Sequence, residues 1–317
     1  MFAAGLLWAK WLPHTAKTAS LADTGTWDGG PIFTTAGSTP SLSGAVDFTV
    51  AYFRAVWKAA LVGLVVAAAL EAFVPKDRLA RLLTRRTRWG QGVAGGLLSM
   101  PSMMCTCCTS PVAVGLRRRG APVGATVAYW LGNPLLNPAV LIFLALTLPW
   151  PYAAVRAAVG AAVVLAAAVV AARVAGPAPD VEAAAGPAPR FSRILLLYAL
   201  MLVPEYLVLV FATGWLSGWL ANWAGLGDAG GPLALLLIGL VGAALVIPTG
   251  GEIPVVVGLV AAGASLGTAG VLLITLPALS VPSIVMVARA FSWRVTAAVT
   301  GLVVAGGVVA GALLAAA

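Results

Sequence analysis

The sequence predicts an all-α, polytopic integral membrane protein made of two inverted-topology repeats, each with about three transmembrane helices and one broken, re-entrant hairpin. Three observations carry this expectation. Of 317 residues, 61% are hydrophobic and 9% charged, with a mean hydropathy of +1.00; a soluble domain carries about 25% charged residues, so there is too little polar material to face water on all sides. A motif recurs in the second half: PVAVGLRRRGAPVGAT from Pro111 aligns with PVVVGLVAAGASLGTA from Pro254, and the same offset carries Pro134 to Pro277 and Asn137 to Ser280. Finally, the basic residues of one copy have no counterparts in the other. Arg117, Arg118 and Arg119 align with Val260, Ala261 and Ala262, and basic loops stay on the cytoplasmic side, so the two copies should lie in opposite orientations.

Taken in order, residues 1–45 form a short apolar segment and an external polar loop containing His14, which reads as solvated. The apolar segment is too short to cross about 30 Å of hydrocarbon, and the missing basic n-region and cleavage site make a secretory signal a poor fit. The first repeat occupies 46–175. Its first span, 46–74, is closed by Pro75 and followed by KDRLARLLTRRTR, the pattern of a basic helix lying at the interface. The stretch 90–120, interrupted by GVAGG, Pro101, three cysteines and Pro111, is too short for two straight spans and should form a re-entrant hairpin. Spans at 121–148 and 152–175 follow, joined by Pro149–Trp150–Pro151. A cytoplasmic Pro/Ala-rich linker at 176–193 leads to the second repeat, 194–317. That repeat has a span at 194–215, a polar loop, a broken apolar stretch to Gly263, and spans at 266–288 and 295–314. Tryptophans near the predicted span ends are interfacial anchors.

Several functions are excluded. No G-x-x-x-x-G-K-[ST] loop or other phosphate cradle is present, so the chain has no ATPase of its own. The net charge of +9 is explained by topology and does not call for nucleic acid. Nothing points to an enzyme or to a cofactor.

The chemistry should lie where the two hairpin tips, MCTCCTSP and IPTGGEIP, approach each other, because interrupted backbone at membrane depth must line protein or a wet cavity. Cys105, Cys107 and Cys108 fall on the first tip. Such closely spaced cysteines are ligands or thiols, not staples between distant segments, and thiolates bind soft cations and trivalent arsenic. Cys-x-Cys without a second ligand pair is not a zinc motif. Glu252 on the second tip, aligned with Thr109, is an expected proton-coupling group or neutraliser of cation charge; capping of the following helix is the competing role. Asn133 and Asn137, one turn apart and each followed by proline, either present polar groups to substrate or mark a kink. Glu205, after Pro204 inside a span, is a second proton-coupling candidate; Glu71 reads as snorkelling toward the arginines, and Arg54 and Lys58 as interfacial anchors.

The run CTCCTSPVAVGLRRRGAPVGATVAYWLGNPLLNPAVL resembles the predicted permease family that includes the ArsP organoarsenical efflux permease and YraQ-type proteins. Cys105 and Cys107 match the family's cysteine pair, Pro111 its proline, Arg118, Arg119 and Gly120 its basic turn, and Asn137 and Pro138 its Asn-Pro element. Cys108 stands where members usually have glycine. The resemblance implies a multi-pass permease of a prokaryotic inner (plasma) membrane that exports thiophilic compounds and gives metal or arsenic resistance. The expected partners are the lipid bilayer and a soft metal ion or thiophilic small molecule, held by Cys105, Cys107, Cys108, Asn133, Asn137 and Glu252. Import of a sulfur species such as thiosulfate, and a membrane redox role for the cysteines, remain as alternatives.

Overall fold

The computed structural model describes residues 5, 7–13, 15–16, 19–20, 41–73, 83–175, 190–224, 231–247, 249–261 and 264–317, and among them it is helical, with no strand. The expectations for His14, for most of the interfacial run after Pro75 and for the 176–189 linker lie outside the described residues. A π-helical turn at Leu7–Trp11 precedes α1 (Leu42–Phe73), α2 (Arg88–Ser99), a 3-10 turn (Met100–Ser102), α3 (Thr106–Arg118), α4 (Val123–Leu135), α5 (Pro138–Thr147) and α6 (Trp150–Val174). Then come α7 (Phe191–Ala224), α8 (Gly231–Ala244), α9 (Glu252–Ala261), α10 (Leu266–Ala278), α11 (Val281–Ala290) and α12 (Trp293–Ala315).

The order of elements repeats. The first residues of α2, α4, α5 and α6 are carried onto those of α8, α10, α11 and α12 by one constant shift, the same that carries Pro111 to Pro254 in the motif. Packing repeats as well: α4 lies on α2 and α6 as α10 lies on α8 and α12, and the halves meet where equivalent helices pair, α1 with α7 and α6 with α12. A Cβ on Gly124 would stand 2.8 Å from Ala168 O, and one on Gly311 would stand 2.5 Å from Gly267 O. The α4–α6 and α10–α12 crossings thus use small residues at equivalent positions, as close helix packing in lipid requires.

Among the described residues α6 and α12 are long and apolar enough to cross a membrane, α4 with α5 forms a third span of 25 residues, and α10 with α11 a fourth if the bent pair is one span. Helices α1 and α7 run for 32 and 34 residues, beyond the roughly 20 needed. By contrast α2 and α3, with 12 and 13 residues, reach only about 18–20 Å at 1.5 Å per residue. Neither is long enough to cross alone.

Three details differ from the sequence expectation. Span 266–288 is not continuous: α10 and α11 are bent by 50°, because Pro277 ends one helix and the other starts at the Ser280 N-cap with Pro282 in its first turn. Span 121–148 is likewise divided at Leu136–Asn137. Helix α7 runs on to Ala224 rather than ending near Trp215, since no proline interrupts 216–224.

The surface is apolar and the interior polar at the breaks. Leu196, Leu197 and Leu200 on α7 and Leu233, Leu236, Leu237 and Leu240 on α8 are exposed, whereas Ser99, Ser102, Thr106, Thr109, Asn133, Asn137, Arg156, Glu252 and Ser280 are buried. That inversion suits lipid outside and a polar path inside.

Candidate functional site

The first tip is made by the chain between α2 and α3. Met103 adopts a left-handed conformation, φ 46°, which costs a non-glycine residue about 1–2 kcal/mol and turns the chain back. The tip is then held from outside itself. Asn133 Oδ1 accepts the Ser102 hydroxyl and the Met104 N–H at 3.2 Å, while its Nδ2 donates to Tyr129 O at 2.9 Å. An asparagine amide supplies donor and acceptor together, so one side chain joins the broken tip to α4. Trp11, near the N-terminus, donates its indole N–H to Pro101 O at 3.1 Å.

Cys105 is the N-cap of α3 and Cys107 and Cys108 lie in its first turn. One helical turn therefore gathers the sulfurs: Cys105 Sγ is 3.0 Å from Cys107 Sγ and 2.9 Å from Cys108 Sγ. All three lie within 4.8 Å of one another; they are buried, and none is in a disulfide. Helix α1 closes over them. Gly63 is required there, because a Cβ would stand 2.7 Å from Cys108 O, and the Tyr52 hydroxyl lies 3.4 Å from Cys107 Sγ. Tyr52 was not singled out from sequence, since a tyrosine in an apolar span carries no local mark of a partner on another helix.

The second tip begins α9 after the turn Thr249–Gly250–Gly251, with Gly250 at φ 82°. Glu252 is its first helical residue, where a carboxylate suits the helix dipole. It does not stand alone: Arg156 Nη2 on α6 is 2.7 Å from Glu252 Oε1, and both side chains are almost wholly buried, at 0% and 2% exposure. The same nitrogen donates to Pro134 O at 2.9 Å. From the sequence alone Arg156 has no role in the site; the fold buries it inside. The signal was available, since an arginine within an apolar span is a functional candidate by default.

The tips cross over. Thr106 of the first donates its hydroxyl to Ala278 O at the α10–α11 break, at 3.0 Å, and the second, through Glu252 and Arg156, reaches Pro134 O at the α4–α5 break. Helix C-termini leave carbonyls without intrahelical donors; the first tip satisfies one in the opposite half directly, whereas Pro134 O is satisfied by Arg156 of its own half, and Glu252 of the second tip meets that same arginine. Asn133 and Pro134 are consecutive, so the anchors of both tips share the end of α4. Asn137 caps α5, its Oδ1 accepting from Ala139 N and Val140 N at 3.1 and 3.3 Å, which makes it first a helix-break residue. Helix α7 carries Glu205, but that side chain and that of Glu71 are outside the described residues. Lys58 sits over the rings of Trp8 and Trp57, at 5.1 and 5.7 Å, and Arg118 over Tyr198 at 5.6 Å.

A multi-pass helical bundle with repeated broken elements and polar groups gathered at the breaks defines a membrane transporter of the permease class. The chain belongs to the ArsP_1 family, described as predicted permease, whose family model matches residues 41–316. It is similar to the UPF0718 protein YraQ of Escherichia coli (strain K12), with 34% identity over 319 residues covering 98% of this chain and 91% of that protein. No solved structure matches it.

Proposed function

We propose that this permease exports a thiophilic substrate, a soft metal ion or a trivalent arsenical, across a prokaryotic inner membrane by way of the thiols of Cys105, Cys107 and Cys108. The observation that carries this reading is the buried set of three sulfurs within 4.8 Å of one another. Bonds of about 2.3 Å from sulfur to a trigonal centre give edges of about 4 Å, so Cys105 Sγ, at 3.0 and 2.9 Å from the other two, has to move away from them by about 1 Å for the three to hold one ion. Among the described residues no fourth His, Asp, Glu or Cys joins them, which favours a three-coordinate soft centre over tetrahedral zinc. Asn133 holds the tip that carries the thiols, Asn137 and Glu252 are proposed to line the substrate path, and Glu252 and Glu205 are proposed to carry protons. Expression in a host stripped of its own exporters tests the proposal: tolerance to arsenite or copper should rise, and growth on a limiting sulfur source without such tolerance would overturn it in favour of uptake.

The halves are proposed to be inverted in the membrane. The pairing of equivalent helices, α1 with α7 and α6 with α12, supports a pseudo-twofold axis between them, and the one-sided arginines support its lying in the membrane plane. Single cysteines introduced beside Arg117 and Ala262 in a cysteine-free background should react with impermeant maleimide from opposite sides; reaction from the same side refutes the inversion.

A further inference from the structure

Arginine carries five N–H donors. In Arg156 the Nη2 donors serve Glu252 and Pro134 O, while Nε and Nη1, which carry the other three, have no hydrogen-bond partner among the described residues. The side chain is fully buried. Buried polar groups are paired in about nine cases in ten, and charged donors are the most costly to leave unpaired, so this side of the guanidinium is fitted to something other than protein. Asn137, three residues beyond the carbonyl that Arg156 grips, shares the property: its Oδ1 is occupied, but its buried Nδ2 has no partner among the described residues. All these groups only donate, and they lie at the α4–α5 break beside the positive end of the α5 dipole. Donors without acceptors, around a fixed positive charge, specify an anion.

We propose that Arg156 and Asn137 form an anion-binding subsite for the oxygens of a small monovalent carboxylate or oxyanion. Glu252 offsets one charge of Arg156, so the subsite suits a small monovalent anion rather than a dianion. No other carboxyl faces the pair among the described residues. The helices packed on α6 are α2, α4, α5, α10 and α12, and α9 packs on α10. Their other titratable groups are Arg88 and Arg294, both exposed, and Tyr129, whose hydroxyl donates to Ser102 Oγ; α6 itself adds Tyr152 and the exposed Arg173. The subsite goes beyond the thiol reading and does not depend on it.

The test uses the full chain with Cys105, Cys107 and Cys108 replaced by serine, in lipid nanodiscs, with radiolabelled acetate and nitrate as probes between about pH 6 and 8.5. Saturable binding to one site is expected. Arg156→Lys keeps the charge beside Glu252 without the Nε and Nη1 fork, and should weaken binding at least tenfold. Glu252→Gln, which keeps that fork and removes the neighbouring negative charge, should bind at least as tightly as the parent chain. Absence of saturable binding of both probes, or binding unaffected by Arg156→Lys, overturns the subsite. Loss of arsenite tolerance on thiol replacement leaves this result unchanged, so the two proposals fail separately.

Discussion

Replacing Arg156 by methionine is expected to lower stability by about 3–5 kcal/mol, the cost of stranding a buried charge when its partner is removed. The side chains that meet at 2.7 Å are almost wholly enclosed, so the Glu252 carboxylate left behind has neither a counter-charge nor bulk water. Pro134 O loses its donor as well. The double variant Arg156→Met/Glu252→Leu should recover most of the loss, because two apolar side chains of similar volume leave no uncompensated charge. Reversible unfolding in mixed micelles, read by tryptophan fluorescence, gives all three values. A single variant within about 1 kcal/mol of the native chain would refute the buried pair.

Serine at all three cysteine positions is expected to reduce transport of a thiophilic substrate at least tenfold with membrane insertion intact. Serine fills nearly the same volume and keeps the first turn of α3, but it offers a hard oxygen in place of a soft sulfur. Each single change to serine leaves two sulfurs within 4.8 Å of each other and should cost less than the triple change. Arsenite accumulation in everted membrane vesicles measures the loss; native transport by the triple variant would return the cysteines to packing.

The parts of the site that were legible in the sequence are the local ones. Three cysteines in four positions beside Pro101 and Pro111 announce sulfurs gathered at a helix start, because one turn of helix brings such neighbours together wherever the helix is placed. The prolines at 134 and 277 likewise announce the two breaks. The contacts that fasten the tips were not legible. Thr106 meets Ala278 across 172 positions, Tyr52 meets Cys107 across 55, and nothing near Arg156 names its partner Glu252.

The sequence by itself determined that the protein lives in lipid, that its architecture is repeated with the offset that carries Pro111 to Pro254, and that each half contains a broken element. These properties follow from composition, period and proline, which act on the chain locally and in any fold. Only the tertiary structure decided which polar group answers which. At helix breaks, buried carbonyls and charges must find partners, and those partners come from whichever helix packs nearest: Thr106 for the end of α10, Arg156 for the end of α4 and for Glu252. Packing also decided that Asn133 holds a tip while Asn137 caps a helix, a distinction that two asparagines one turn apart, each followed by proline, do not carry in their spacing.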